Sequence, residues 1–335
     1  MKAMVLSEQR PMADSPLTLL DLPVPEPGEG EIRIKVSCCA ICRTDLHVIE
    51  GDLPPRKLPL VPGHQVVGTV DKLGPGSSLE MGQRVGVAWL HRCCETCDFC
   101  TSGRENLCES PTFTGYHVDG GYGEYVTAPE AYVYEIPGVF TDHEAAPLLC
   151  SGIIGYRSLR RSQLKPGQTL GICGFGSSAH VVIQIARHWG CRVLVATRGE
   201  GHRDLASRLG AEWTGERPED FPEAVDSAIL FAPAGELVPP LLEKVRPGGT
   251  LAIAGIYLSD VPSLSYEGHL FHERNIHSVT ANTRRDGHEL LDVAAKIPIR
   301  PHTVVYPLDE ANRALQDLEQ DRLNGTGVLT VSSSS

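Results

Sequence analysis

Four cysteines in the segment HRCCETCDFCTSGRENLC, namely Cys94, Cys97, Cys100 and Cys108, form the pattern C-x2-C-x2-C-x7-C. Four thiolates at this density, with no histidine among them, suit a closed tetrahedral zinc site of the structural kind. A catalytic zinc needs one position left for water or substrate, so the cluster predicts a brace and leaves the chemistry to other residues. Nucleic-acid-binding ribbons also use four cysteines. Against that reading, 42 acidic residues and 30 basic ones give a formal charge of −12, which argues against an extended nucleic-acid footprint.

The chain has 335 residues, enough for a large core and for two domains of ordinary length, so the metal braces a region and does not replace a core. Its 11 cysteines, an odd total, fit thiols and metal ligands better than a secreted disulfide framework. The opening MKAMVLSEQRPM lacks the apolar run of a secretory signal, and no segment has the length of a membrane span. A cytoplasmic location is expected, with no membrane partner. Ser332 to Ser335 offer nothing to bury and read as a frayed tail.

Short Val-rich runs punctuated by Gly and Pro, such as EIRIKVSCC, VVGTV, QRVGVAWL and GYGEYVTAP, make the first part of the chain mostly β. Near residue 150, after the apolar AAPLLCSGIIGY, the pattern changes to short apolar strands alternating with helical segments, among them VPPLLEKVRPGG before TLAIAGI. That alternation is the signature of a parallel α/β sheet. Near residue 285 it changes again, to two helix and strand pairs.

TLGI leads into Gly174-Phe-Gly176-Ser177-Ser178-Ala179 and then a helical run, a G-x-G-x-x-A turn in a βαβ context. Glycine there permits a tight turn and close approach of a pyrophosphate, a small third residue lets helix and strand pack, and the helix start binds the anion. The next strand, CRVLVATR, ends in Thr197 and Arg198 where NAD sites place an acid roughly 20 residues beyond the glycines. A hydroxyl and a guanidinium favour a 2′-phosphate, with Arg203 and His202 adding charge, so NADP(H) is preferred and NAD(H) remains possible. Earlier, Cys42-Arg-Thr-Asp-Leu-His47 and Pro62-Gly63-His64-Gln65 precede Cys150. Cys42, His64 and Cys150 can form a two-thiolate, one-imidazole zinc site with an open fourth position. Taken singly, the two cysteines also suit buried thiols and His64 a core histidine.

In this order, GEIRIKVSCCAICRTDLH, PLVPGHQVVGTV, the four-cysteine lobe, PLLCSG and the glycine turn resemble the zinc-dependent alcohol dehydrogenases of the medium-chain dehydrogenase/reductase family. The resemblance covers nearly the whole chain and is nearest to a bacterial branch beside the cinnamyl-alcohol-type enzymes. It implies an α/β fold in which a Rossmann cofactor domain, 151–283, is flanked by a mostly β, GroES-like catalytic domain built from both chain ends, 1–150 and 284–335. The structural-zinc lobe falls at about 91–110, and the substrate cleft lies between the domains.

On the same pattern two Zn2+ ions are implied per subunit: a catalytic one on Cys42, His64 and Cys150, and a structural one on Cys94, Cys97, Cys100 and Cys108. Asp45 resembles the carboxylate that orients His64, Thr44 the hydroxyl at the substrate oxygen, His47 the outer end of a proton relay, and Arg43 a pyrophosphate contact. Gly255 and Ile256 join the cofactor contacts. Trp89 resembles an aromatic that narrows the inner pocket, favouring primary aliphatic or aromatic alcohols and aldehydes. Gln65 replaces the familiar glutamate, Ile154 replaces a threonine beside the nicotinamide, and GTGVL lacks an arginine that some members direct at the pyrophosphate. Relatives form homodimers or homotetramers, often by extending the cofactor-domain sheet; Thr250 to Ile256 and Val261 to Leu264 are the candidate contacts. A secondary-alcohol or polyol dehydrogenase, and a non-catalytic nucleotide-binding zinc protein, are the alternative readings.

Overall fold

A computed structural model describes residues 1–297 and 299–331, so the Ser332 to Ser335 tail lies outside the described residues. The chain divides into two units: Met1–Cys150 together with the segment that returns at Ala281, and Ser151–Thr280.

In the first unit the strand Glu31–Ala40 alternates fully buried and more accessible positions along its first half, the period-2 pattern of a sheet with one face on the core. It pairs antiparallel with Gln65–Leu73, Tyr125–Pro129 and Thr326–Thr330. Thr326–Thr330 in turn lies parallel to Thr303–Pro307, so both chain ends build one sheet. Ile32, Ile34, Val66, Val126, Leu315 and Leu329 meet in its core, which is why the C-terminal segment cannot be removed without exposing the first strands. QRVGVAWL, read as one strand, is two: Arg84–Val87 and Leu90–Arg92, the second belonging to a separate small sheet with Thr112–Phe113.

In the second unit six parallel strands run in the spatial order Trp213–Gly215, Arg192–Ala196, Thr169–Cys173, Val225–Leu230, Val245–Ile253 and Asn275–Ser278. Numbered along the chain this is 3-2-1-4-5-6, the doubly wound dinucleotide-binding order, with the switch point at Thr169–Cys173. That strand is buried at every position, as a strand covered on both faces must be. The expected fold class is therefore the one observed.

Two expectations change in this unit. VPPLLEKVRPGG is not one helix: the helix spans Val238–Lys244 and the strand already begins at Val245, because Pro247 and two glycines cannot continue helical hydrogen bonding. Val245–Ile253 is paired on both sides, so Thr250 to Ile256 cannot extend the sheet to a second subunit; on that side the open edge is Asn275–Ser278. Among the described residues no helix is long and apolar enough to cross a membrane.

Candidate active site and metal centres

Cys42 stands just beyond the strand Glu31–Ala40 and opens the helix Arg43–Glu50 from an extended backbone. Its N–H donates to Asp45 Oδ2 at 2.8 Å, while Asp45 Oδ1 lies 3.1 Å from His64 Nδ1. One buried carboxylate thus fixes both the helix start and the imidazole, and His64 and Asp45 are 1% and 2% exposed. An ionised carboxylate only accepts, so Nδ1 of His64 carries a proton, and Nε2 is the ring nitrogen left to ligate a metal. Nε2 lies 3.3 Å from Cys42 Sγ. Cys150 follows the short helix Ala146–Leu149, and the ligand atoms of Cys42, His64 and Cys150 all lie within 4.8 Å of one another.

Gly63 makes this arrangement possible. Its φ is +95°, and a Cβ there would lie 2.3 Å from the Tyr122 ring. Gly63→Ala is expected to destabilise the protein by about 3 kcal/mol through overpacking and backbone strain. Denaturant unfolding checks this, and a change under about 0.5 kcal/mol would show that Tyr122 can yield.

The protonation of the cluster tests its fit to a metal. Hydrogen bonding to Cys150, then burial, pushes the Cys42 thiol well above its usual range. Burial disfavours protonated His64, yet the Asp45 carboxylate and the Cys42 sulfur hold its pKa at about 10. Two thiols and an imidazole thus converge on one space, and a dication among them would take up both sulfurs as thiolates and the imidazole lone pair. The donor set fits zinc with three protein ligands and one open position.

The second candidate zinc site has Cys94 Sγ 3.9 Å and Cys97 Sγ 3.6 Å from Cys100 Sγ. Zinc–sulfur bonds of about 2.3 Å in a tetrahedron give sulfur separations of about 3.8 Å. N–H groups also point at the sulfurs: Cys94 N donates to Cys108 Sγ at 3.2 Å and Cys97 N to Cys94 Sγ at 3.4 Å. Hydrogen bonds from the Thr96 and Cys97 backbone bring the Cys94 thiol down to about 6, so it ionises readily.

Trp89 lies edge-on to His64 with ring centroids 5.0 Å apart, and stacks on Phe113 at 4.8 Å and Tyr116 at 5.9 Å. The sequence pointed to Trp89 but not to its two partners, whose only signal is aromatic spacing in PTFTGYH. Thr44 is half-buried in the first turn of the helix Arg43–Glu50, Arg43 is exposed, and His47 lies in the last turn with Nδ1 2.7 Å from Asp52 Oδ2. Gln65 is fully buried and its amide N and O have no hydrogen-bond partner among the described residues.

In the second unit, a Cβ on Gly174 would lie 2.6 Å from Ala232 N, so only glycine fits the turn. A Cβ on Gly176 would meet nothing within 4 Å, leaving open space at the start of the helix Ser177–His188, where an anion can approach the N–H groups of Ser177 and Ser178. Ala179 is fully buried, as close packing of that helix requires. Thr197 is buried at the end of Arg192–Ala196 and Arg198 is exposed beyond it. Arg203 donates to the carbonyls of Thr197 at 3.0 Å and Arg198 at 2.7 Å and pairs with Glu216, so it braces this turn. His202 is half-buried beside Gly199. Gly255 donates to Leu230 O at 3.1 Å, and the following Ile256 is exposed. Ile154 is half-buried on the helix Ser151–Ser162.

Residues 28–138 match the family model of the alcohol dehydrogenase GroES-like domain, and residues 179–296 that of the zinc-binding dehydrogenases. The chain is 47% identical over 337 residues to a Mycobacterium tuberculosis protein described as probable alcohol dehydrogenase AdhA, covering 99% of this chain and 97% of that one. An alcohol dehydrogenase of Geobacillus stearothermophilus is 33% identical over 341 residues, covering 99% and 100%. Among solved structures, a cinnamyl alcohol dehydrogenase of Sorghum bicolor is similar with a TM-score of 0.90 at 27% identity, covering 100% of this chain and 98% of that one.

Proposed function

The chain belongs to the zinc-dependent alcohol dehydrogenases of the medium-chain dehydrogenase/reductase family, and from that membership we propose that it exchanges hydride between NADP(H) and primary aliphatic or aromatic alcohols and aldehydes. The observation that carries this reading is the three-donor cluster of the half-buried Cys42 and Cys150 and the buried His64, with Trp89 edge-on to His64 at 5.0 Å. When bound, zinc on these residues supplies Lewis-acid polarisation of the substrate oxygen, and the nicotinamide supplies hydride exchange.

The residues supply binding, orientation and proton movement. Asp45 holds His64 in the tautomer that leaves Nε2 available, and Thr44 accepts the alcohol proton and passes it towards His47. Aldehyde reduction runs the same steps in reverse. Trp89, backed by Phe113 and Tyr116, is a broad wall that admits a slim primary alcohol or a flat aromatic one and crowds a bulky secondary one. The turn Gly174 to Ala179 would hold the pyrophosphate of a bound cofactor, Ile154, Gly255 and Ile256 would add contacts from the same unit, and Arg43 would supply a further phosphate contact on the family pattern. Cys94, Cys97, Cys100 and Cys108 would hold the structural zinc. A homodimer or homotetramer, joined along the Asn275–Ser278 edge, and a cytoplasmic location complete the reading.

Arg198 supports the cofactor preference: an exposed guanidinium follows the second strand, where an NAD site keeps a carboxylate. A matched assay with NADPH and NADH against ethanol, benzyl alcohol, a bulky secondary alcohol and the corresponding carbonyl compounds tests it. Primary substrates and NADPH are expected to lead. Arg198→Ala should weaken NADPH by about tenfold or more, the loss of one charge-assisted hydrogen bond, and leave NADH nearly unchanged. Tighter and faster NADH use would overturn the cofactor preference, and preference for the bulky alcohol would overturn the substrate class.

A further inference from the structure

We infer that Tyr122 is a positioning residue of the metal cluster: its sealed hydroxyl serves as a donor to the Asp45 carboxylate, and through Asp45 it fixes the ring of His64. The inference rests on the zinc reading of Cys42, His64 and Cys150 given above and deepens it by one residue.

Tyr122 is attached to the His64 segment by its backbone and by its ring. Gly120 N donates to Val61 O at 2.7 Å, Gly121 N to Gly63 O at 2.9 Å and Tyr122 N to Pro62 O at 3.0 Å, so the two segments are locked together up to the residue before His64. From the first strand, Met4 N donates to Tyr122 O at 2.8 Å. The ring lies against Gly63, where a Cβ would stand 2.3 Å from it. Tyr122 is fully buried, and close packing on a pinned backbone leaves its hydroxyl no second place to go.

A phenol sealed from water must spend its O–H inside the protein. The ionisable groups that act on it are Asp45, Cys39 and Cys42, and Asp45 is the acceptor towards which the hydroxyl is directed. Thiol sulfur accepts weakly, and Cys39 turns its own S–H to Ala40 O at 3.6 Å. Among the described residues no partner meets ordinary hydrogen-bond geometry at the Tyr122 hydroxyl, so its contact with Asp45 is a loose one, of the kind that tightens when a site is engaged. Asp45 already accepts from Cys42 N at 2.8 Å and faces His64 Nδ1 at 3.1 Å, and its two oxygens have lone pairs for a third donor. That donor opposes rotation of the carboxylate away from His64 and keeps Nε2 aimed into the cluster.

Tyr122→Phe tests this, because it removes the hydroxyl and keeps the ring against Gly63. Zinc at Cys42, His64 and Cys150 is expected to bind about tenfold more weakly in chelator competition, with the four-cysteine zinc unchanged as internal reference and the melting temperature within about 1 °C. In an Asp45→Asn background the same substitution should add nothing, since its action runs through that carboxylate. A role in packing alone predicts otherwise, as deletion of a loosely satisfied buried hydroxyl would leave zinc affinity where it was. The inference is overturned if Tyr122→Phe holds zinc within about twofold of the unsubstituted protein, if it weakens zinc equally in the Asp45→Asn background, or if it unfolds the chain with loss of both ions. Absence of turnover in the fully metallated unsubstituted protein would instead overturn the dehydrogenase reading, while the zinc affinities would still judge the action of Tyr122 on the cluster.

Discussion

Cys42→Ser is expected to lower alcohol turnover by at least about a thousandfold, since the polarisation a catalytic zinc supplies amounts to several kcal/mol and each 1.36 kcal/mol is a factor of ten. The reason is local: a serine hydroxyl stays protonated where a thiolate is needed, and of the three donors Cys42, His64 and Cys150 only two would remain as ligands. Bound zinc should fall from two ions per chain to one. NADPH binding should persist, because Gly174, Gly176 and Arg198 belong to the unit Ser151–Thr280, whereas Cys42 belongs to the other. Elemental analysis, cofactor fluorescence titration and turnover read the three quantities separately. A variant with one zinc and full turnover would remove the chemistry from this cluster. Loss of both zinc ions and of cofactor binding would show misfolding, which Cys150→Ser would then be used to separate.

How far the sequence could be read follows from how local each constraint is. The four-cysteine lobe was legible because its ligands are close in sequence and chemically distinctive, and the glycine turn because it sits directly between a strand and a helix. Convergence of Cys42, His64 and Cys150 was not, since spacing across such distances fixes nothing; only the family resemblance brought them together. The partners of Trp89 were missed for the same reason, as Phe113 arrives from the small sheet with Leu90–Arg92. The contact of Asp52 with His47 was missed through turn geometry: at five residues from His47 it lies off the helical periodicity, and the bend at the left-handed Gly51 brings it to the ring. Val245 shows the opposite failure, where an apparent helix continuation was cut short by proline and glycine.

Removing the structural metal should act on stability and leave the catalytic zinc in place. The lobe's own cluster is the buried Leu90, Cys93, Cys108 and Tyr132 with Phe113 packed against it, too few apolar side chains to hold the lobe without a cation. It is also tied to the returning chain. Arg284, first residue of the helix Arg284–Lys296, donates its backbone N–H to the buried Glu105 at 3.0 Å and lays its guanidinium 4.6 Å above the Tyr132 ring. Tyr132 OH in turn donates to Glu95 at 3.1 Å and lies 3.0 Å from Cys93 Sγ. Loss of the metal therefore loosens the lobe and, through Glu105 and Tyr132, the start of the helix that carries the C-terminal strands back to the main sheet. Cys97→Ser is expected to reduce zinc from two ions per chain to one and to lower the melting temperature by on the order of 10 °C, since structural zinc contributes several kcal/mol or more and a chain of this size loses about 2 °C per kcal/mol. Turnover per remaining catalytic zinc should stay near that of the unsubstituted protein at low temperature, because Cys42, His64 and Cys150 draw no ligand from the lobe. Calorimetry with elemental analysis decides it. An unchanged melting temperature with two zinc ions retained would mean that Cys93, the fifth thiol of the lobe, takes over as ligand; an unchanged melting temperature with one ion would mean that the fold does not depend on this metal.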